Sequence, residues 1–189
     1  MSQSEQIDTA GATRRGVIAT LLGLIVGLFP FATGIFAFLN PLRTRKEPGA
    51  DADKPGRLVR IATLAALPDD GVPRQFPVIA DRQDGWTRYR NEAIGAVYLR
   101  RQPGSEQIEA FNATCPHAGC FVAFNRDRDV YQCPCHDSAF KVDGKFEFGP
   151  SPRDLDQLDA DLRGDGEQKE IWVRYVDYIT GIQDKIPKQ

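Results

Sequence analysis

From Gly16 to Asn40 the chain runs for 25 residues without a charge, GVIATLLGLIVGLFPFATGIFAFLN. In hydrocarbon every backbone polar group must find its partner within the segment, which for a single run means a helix. At about 1.5 Å per residue the run makes a helix about 37 Å long, enough to cross a hydrocarbon core of about 30 Å. A cleaved signal peptide would have an apolar region of about 7 to 15 residues ending in a small-x-small site, and no convincing site of that kind is present. The expectation is therefore an uncleaved anchor over residues 16–40, preceded by a cytoplasmic segment, 1–15. Pro30, in mid-span, should kink or locally break the helix because it lacks an N–H and its ring clashes with the preceding turn. Ala19, Gly23 and Gly27 recur every fourth residue, where another helix could approach closely; ordinary apolar filler is the favoured reading of them.

Orientation signals conflict. Arg14 and Arg15 precede the run and Arg43, Arg45 and Lys46 follow it, a positive-inside count slightly in favour of a cytoplasmic C-terminus. The "TRR" at Thr13 to Arg15 looks like a twin-arginine export signal, which would carry the following part outward already folded. That reading gains weight only if the downstream domain must assemble a cofactor before crossing. Residues 41–57, beginning "PLRTRKEPGADADKPG", mix prolines, glycines and charges with no apolar face to bury and read as a flexible tether to a head at 58–189. With a formal net charge of -2 and no basic patch interleaved with aromatics, nothing points to nucleic acid as a partner.

After Leu58 come short apolar runs, "LVRIA", "FPVIA", "WTRYR", "AVYLR", "IEAFNA", "FVAF", "VYQC" and "IWVRYVDYI", separated by Gly, Pro, Asp and Asn clusters. That is an all-β pattern. Ile171, Val173, Tyr175 and Ile179 keep one phase, as in a late strand with one buried face. No G-x-G-x-x-G, G-K-[ST] or H-E-x-x-H motif occurs, so phosphate binding and zinc hydrolysis lose their usual carriers.

The chain's four cysteines and two histidines all fall in two stretches, "CPHAGC" at 115–120 and "CPCH" at 133–136. Zinc fingers space their cysteine pairs two to four residues apart, whereas these pairs are Cys115-x-His117 and Cys133-x2-His136. A pure disulfide framework would leave both histidines in register by accident. An iron-sulfur cluster with mixed ligands uses every residue.

C-x-H, fifteen intervening residues, then C-x2-H resembles the pattern of Rieske [2Fe-2S] proteins, in which two Cys hold one iron and two His the other. The resemblance implies an all-β, Rieske-like antiparallel β-sandwich head with cluster-binding loops behind a single N-terminal transmembrane helix. It makes Cys115, His117, Cys133 and His136 the metal ligands. Cys120 and Cys135 stand where Rieske subunits of cytochrome bc and bf complexes carry a disulfide joining the two loops. Ser138 stands where a hydroxyl bonds a cluster sulfide, and "GPSP" at 149–152 resembles the proline loop packed near the cluster. A disulfide needs an oxidising compartment, which favours the twin-arginine reading: N-terminus inside, head on the periplasmic or extracytoplasmic side of the cytoplasmic membrane.

The implied function is the electron-transfer subunit of a quinol:cytochrome c oxidoreductase. It would take an electron and a proton from quinol at His117 or His136 and pass the electron to a c-type cytochrome, within a multi-subunit, dimeric complex containing cytochrome b. The alternative is the small Rieske subunit of an exported molybdenum enzyme resembling arsenite oxidase. The chain departs from the subunit motifs C-T-H-L-G-C and C-P-C-H-G-S-x-Y at Pro116, Ala118, Asp137 and Phe140. Phe140 lacks the hydroxyl that the family's tyrosine donates to a ligand sulfur, and Asp137 adds a negative charge beside His136. Both disfavour an added electron, which points to the lower part of the Rieske range of about -150 to +300 mV and to a low-potential quinol such as menaquinol.

Overall fold

The computed structural model describes residues 14–39 and 55–188, in two units that are treated separately below. The expected cytoplasmic segment and nearly all of the expected tether lie outside the described residues, and Arg57, expected as the last tether residue, is already strand. In the first unit, α1 runs from Arg14 to Leu39 with Pro30 inside it, and from Gly16 to Leu39 it is long and apolar enough to cross a membrane. The expected local break does not occur, for α1 is continuous through Pro30. Nearby, the Thr33 hydroxyl donates to the carbonyls of Phe29 and Pro30, at 3.0 Å each. Both are back-bonds of the Thr33 hydroxyl to carbonyls three and four residues earlier; the proline itself removes only the bond to the Val26 carbonyl.

The second unit is built of antiparallel strands: β1 (Arg57–Thr63), β2 (Arg74–Asp84), β3 (Thr87–Arg101), β4 (Ile108–Asn112), β5 (Ala123–Asn125), β6 (Val130–Gln132), β7 (Ala139–Lys141), β8 (Phe146–Phe148), β9 (Gln157–Leu158), β10 (Ala160–Arg163) and β11 (Glu170–Tyr175). They form three sheets, ordered β1-β11-β10, β2-β3-β4-β9 and β5-β6-β7-β8. The runs "WTRYR", from Thr87 on, and "AVYLR" belong to one strand, β3, which passes through Gly95. A side chain at Gly95 would run into the Tyr175 ring and hydroxyl and push that side chain aside, so glycine lets Tyr175 of β11 lie close across β3. Burial alternates along β11, with Ile171, Val173 and Tyr175 inside. Ile179, expected to share that face, lies beyond the strand and is exposed, because the strand ends at Tyr175.

The two-residue period of β3 and β4 organises the head. Val97, Leu99 and Ala110 face a core completed by Val59, Val78, Ile171 and Val173. Ala96, Tyr98 and Phe111, on the opposite face, meet Val122, Tyr131, Phe140 and Leu155 of the β5–β8 unit in a second core, which also contains Cys115 and Cys133. One two-stranded wall thus serves two cores, and the β5–β8 unit is an insertion between β4 and β9 that rests on the outer face of that wall.

At the centre of the second core the Tyr131 ring lies 4.9 Å from Tyr98, 6.0 Å from Phe111 and 5.2 Å from Phe124, centre to centre. Its hydroxyl is buried without a hydrogen-bond partner among the described residues, and burial pushes its pKa well above the usual tyrosine value. An unpaired buried hydroxyl costs about 1 to 3 kcal/mol. Tyr131→Phe should therefore raise the melting temperature of the head by about 3 °C or more, measured by thermal denaturation; a lower melting temperature would show that the hydroxyl is bonded after all.

Candidate metal centre

Two loops emerge from the second core, one between β4 and β5 and one between β6 and β7. Their sequences differ but their backbones are closed in the same way. In the first, Cys115 N–H donates to Cys120 C=O at 2.8 Å and Gly119 N–H to Cys115 C=O at 3.0 Å; in the second, Cys133 N–H donates to Ser138 C=O at 2.8 Å and Asp137 N–H to Cys133 C=O at 3.1 Å. Each loop is a six-residue bracket that begins on a buried cysteine. The fifth residue of each, Gly119 (φ 84°) and Asp137 (φ 56°), is left-handed. Asp is among the few residues that accept that conformation at modest cost.

The brackets bring the chemistry-bearing side chains together. Cys115 and Cys133 are free and buried. Burial pushes the Cys115 thiol pKa up, as does the neighbouring Cys133 sulfur, while the backbone N–H of His117 pulls it down. His117 and His136 approach across the gap between the loops with ring centres 4.7 Å apart and planes at 89°. His136 is exposed and His117 half-buried. Among the described residues only three buried side-chain polar atoms lack a hydrogen-bond partner, and two belong to this site: His117 Nδ1 and Ser138 Oγ.

Cys120 and Cys135, the remaining cysteines, form a disulfide between the two loops. Its sulfurs and that of Cys133 all lie within 4.8 Å of one another. Because the disulfide sulfurs are bonded to each other, the thiolate donors left at the site are Cys115 and Cys133.

Behind the second loop, Gly149 (φ 105°) sits so close to it that a side chain there would come within 2.5 Å of Ser138 Cα. The "GPSP" stretch therefore does brace the site. Phe140 is fully buried in the core that contains Cys115 and Cys133, and Asp137 is exposed at the tip. Sequence reasoning missed a buried polar group beneath the first loop. Arg153 and Asp156 form an ion pair at 2.8 Å whose side chains are 6% and 4% exposed, and Asn112 donates from Nδ2 to Val176 C=O and accepts the Thr114 N–H. Nothing in the run "SPRDLD" distinguishes such a pair from solvated loop charges.

Residues 69–159 match the family model described as the Rieske [2Fe-2S] domain. The chain carries a Rieske domain. It is 39% identical over 76 residues to the cytochrome b6-f complex iron-sulfur subunit of Synechococcus sp. (strain JA-3-3Ab), covering 40% of this chain and 44% of that one. To the subunit of the same name from Gloeobacter violaceus it is 28% identical over 159 residues, 83% of this chain and 75% of that one. The chain thus spans under half the length of the first curated relatives it matches. Among solved structures it is similar to the cyanobacterial plasma membrane Rieske protein PetC3 from Synechocystis PCC 6803, at 28% identity over 62% of this chain and 99% of that one, with a TM-score of 0.43. The [2Fe-2S] cluster is the cofactor of this domain.

The disulfide closes a loop with a sequence separation of 15, for which chain-entropy arguments give about 3 kcal/mol. Replacing Cys120 and Cys135 together by Ser should lower the unfolding free energy by about that amount in denaturant titrations under non-reducing conditions. A change below about 0.5 kcal/mol would mean that the matched brackets alone hold the loops together.

Proposed function

We propose that Cys115 and Cys133 hold one iron of the cluster as thiolates, that His117 and His136 hold the other through ring nitrogens, and that Ser138 donates its hydroxyl to a cluster sulfide. One observation carries this reading: two free, buried thiols open matched brackets that also carry two imidazoles ring to ring, with His117 Nδ1 and the Ser138 hydroxyl left without partners among the described residues. That donor set, two soft sulfurs and two borderline nitrogens, is the one a Rieske cluster takes. When bound, the cluster supplies a one-electron carrier.

The chain's own residues do the rest. The hydrophobic packing of Ala113, Val122 and Phe140 beneath the thiols excludes water from the cysteine side. The exposed His136 presents its imidazole at the tip, where a ring nitrogen can accept the proton of a quinol hydroxyl. Added negative charge near an imidazole raises its affinity for that proton, so electron and proton leave the quinol together. On this basis the protein is the iron-sulfur subunit of a membrane quinol:cytochrome c oxidoreductase, working with a cytochrome b subunit and passing its electron to a c-type cytochrome. The relatives named above are subunits of cytochrome b6-f complexes, which favours this assignment over an exported molybdenum enzyme. α1 serves as the membrane anchor, and the disulfide supports a head held in an oxidising compartment outside the cytoplasm. Purification of the intact protein from its native membrane should bring down b- and c-type haem. Recovery of a soluble molybdenum protein instead would overturn the assignment.

The same site sets an expectation for the potential. Phe140 offers no donor to a cysteine sulfur and Asp137 adds negative charge at the tip, so the midpoint should fall well below the upper Rieske value of about +300 mV, as oxidation of a low-potential quinol such as menaquinol requires. Phe140→Tyr would restore one donor. At about 1 kcal/mol for a hydrogen bond and about 59 mV per tenfold change for one electron, it should raise the midpoint by about 40 mV in a redox titration. A midpoint near the upper value for the unsubstituted protein, or a fall on Phe140→Tyr, would contradict this account of the tuning.

A further inference from the structure

Beyond β11, outside the segment that matches the Rieske family model, the chain folds back on itself. Ile179 N–H donates to Ile186 C=O and Lys188 N–H to Asp177 C=O, each at 2.8 Å, while Tyr178 and Pro187 form a bridge. The turn of this hairpin lies on the first cluster loop. Gly181 N–H donates to Pro116 C=O at 2.8 Å. Gly181 is left-handed at φ 79°, and a Cβ built on it would stand 3.5 Å from the His117 carbonyl oxygen.

Arg153 fastens the hairpin from beneath. Its Nε and one terminal nitrogen donate to the two carboxylate oxygens of Asp156 at 3.0 and 2.8 Å. Its terminal nitrogens also donate to the hairpin carbonyls of Ile182, at 2.6 Å, and Ile179, at 3.1 Å. The Asp156 carbonyl accepts the backbone N–H of Asn112 at 2.8 Å, and Asn112 in turn bonds Val176 and Thr114. The hairpin and the segment after the proline loop thus meet at one guanidinium, and the root of the first cluster loop is tied to them through the Asp156 and Val176 carbonyls. A buried ion pair is a weak stabiliser beside an apolar pair of similar volume. What it supplies here, and an apolar pair cannot, is directed donors for two backbone carbonyls of the hairpin.

We propose that residues 177–188 are a strap over the first cluster loop and that Arg153 is the positioning residue that latches it, holding the Pro116–His117 peptide so that the His117 ring keeps its place beside His136. This rests on the reading of His117 as a cluster ligand. The two loops then have separate braces, the strap on the first and Gly149 against Ser138 on the second.

The test uses the full-length, iron-loaded protein in detergent. One variant replaces both partners of the latch, Arg153→Met with Asp156→Leu, so that no lone charge is left buried; a second ends the chain at Val176. Amide hydrogen exchange should rise at least tenfold across residues 115–121 in each variant and stay within twofold across 133–138. In the reduced-state spin-resonance spectrum, one histidine nitrogen coupling should change and the other should not. Exchange that is unchanged, or that rises equally in both loops as general destabilisation would cause, overturns the strap. A failure of the underlying ligand reading is separable from this, because it would appear in the unsubstituted protein as a spectrum without histidine nitrogen coupling.

Discussion

Two thiols buried against each other are a poor arrangement for a protein left to itself. Neither gains a strong hydrogen bond, both lose water, and here their surroundings add an imidazole nitrogen and a hydroxyl with no partner among the described residues. Buried polar atoms are nearly always satisfied in native proteins, so a cluster of exceptions at one spot indicates a group that the side chains were gathered to hold. Around it the head is arranged to keep those atoms in place: a β-sandwich base, an inserted sheet that seats the cysteines in its core, and a disulfide and two braces that keep the loops from separating.

The loops show how unlike sequences reach one backbone form. Both begin Cys-Pro and close a bracket over six residues, with the fifth residue left-handed. They then place their imidazoles at different offsets, His117 two residues after its cysteine and His136 three, which lets the rings meet edge to face from opposite sides. The offset freed in the second loop is occupied by Cys135, which reaches across to Cys120. The spacing difference that first separated this motif from a zinc site is thus the geometric condition for two rings and one disulfide to fit in a single cleft.

Much of this was legible in the sequence, and what was not has physical causes. The uncharged run could form little but a helix, and the Cys/His pattern carried its chemistry in residue types that have few other uses together. Of the kink or local break expected at Pro30, the break does not occur because a helix can lose one hydrogen bond and continue. β7 to β10, at two to four residues each, are too short to display a period, and the two runs of β3 looked separate because Gly95 reads as punctuation when it is in fact a point of close approach. The Arg153–Asp156 latch was invisible because burial of a charge is decided by residues distant in sequence, here Ile179 and Ile182, and leaves no local pattern.

The central claim is that nitrogen and sulfur divide the two irons, and pulsed spin-resonance on the chemically reduced full-length protein tests it most directly. The account predicts a rhombic signal coupled to two histidine nitrogens, with the coupling simplified when either His117 or His136 is replaced by Cys. An iron-sulfur signal with no nitrogen coupling, or protein that takes up no iron on anaerobic reconstitution, would contradict it.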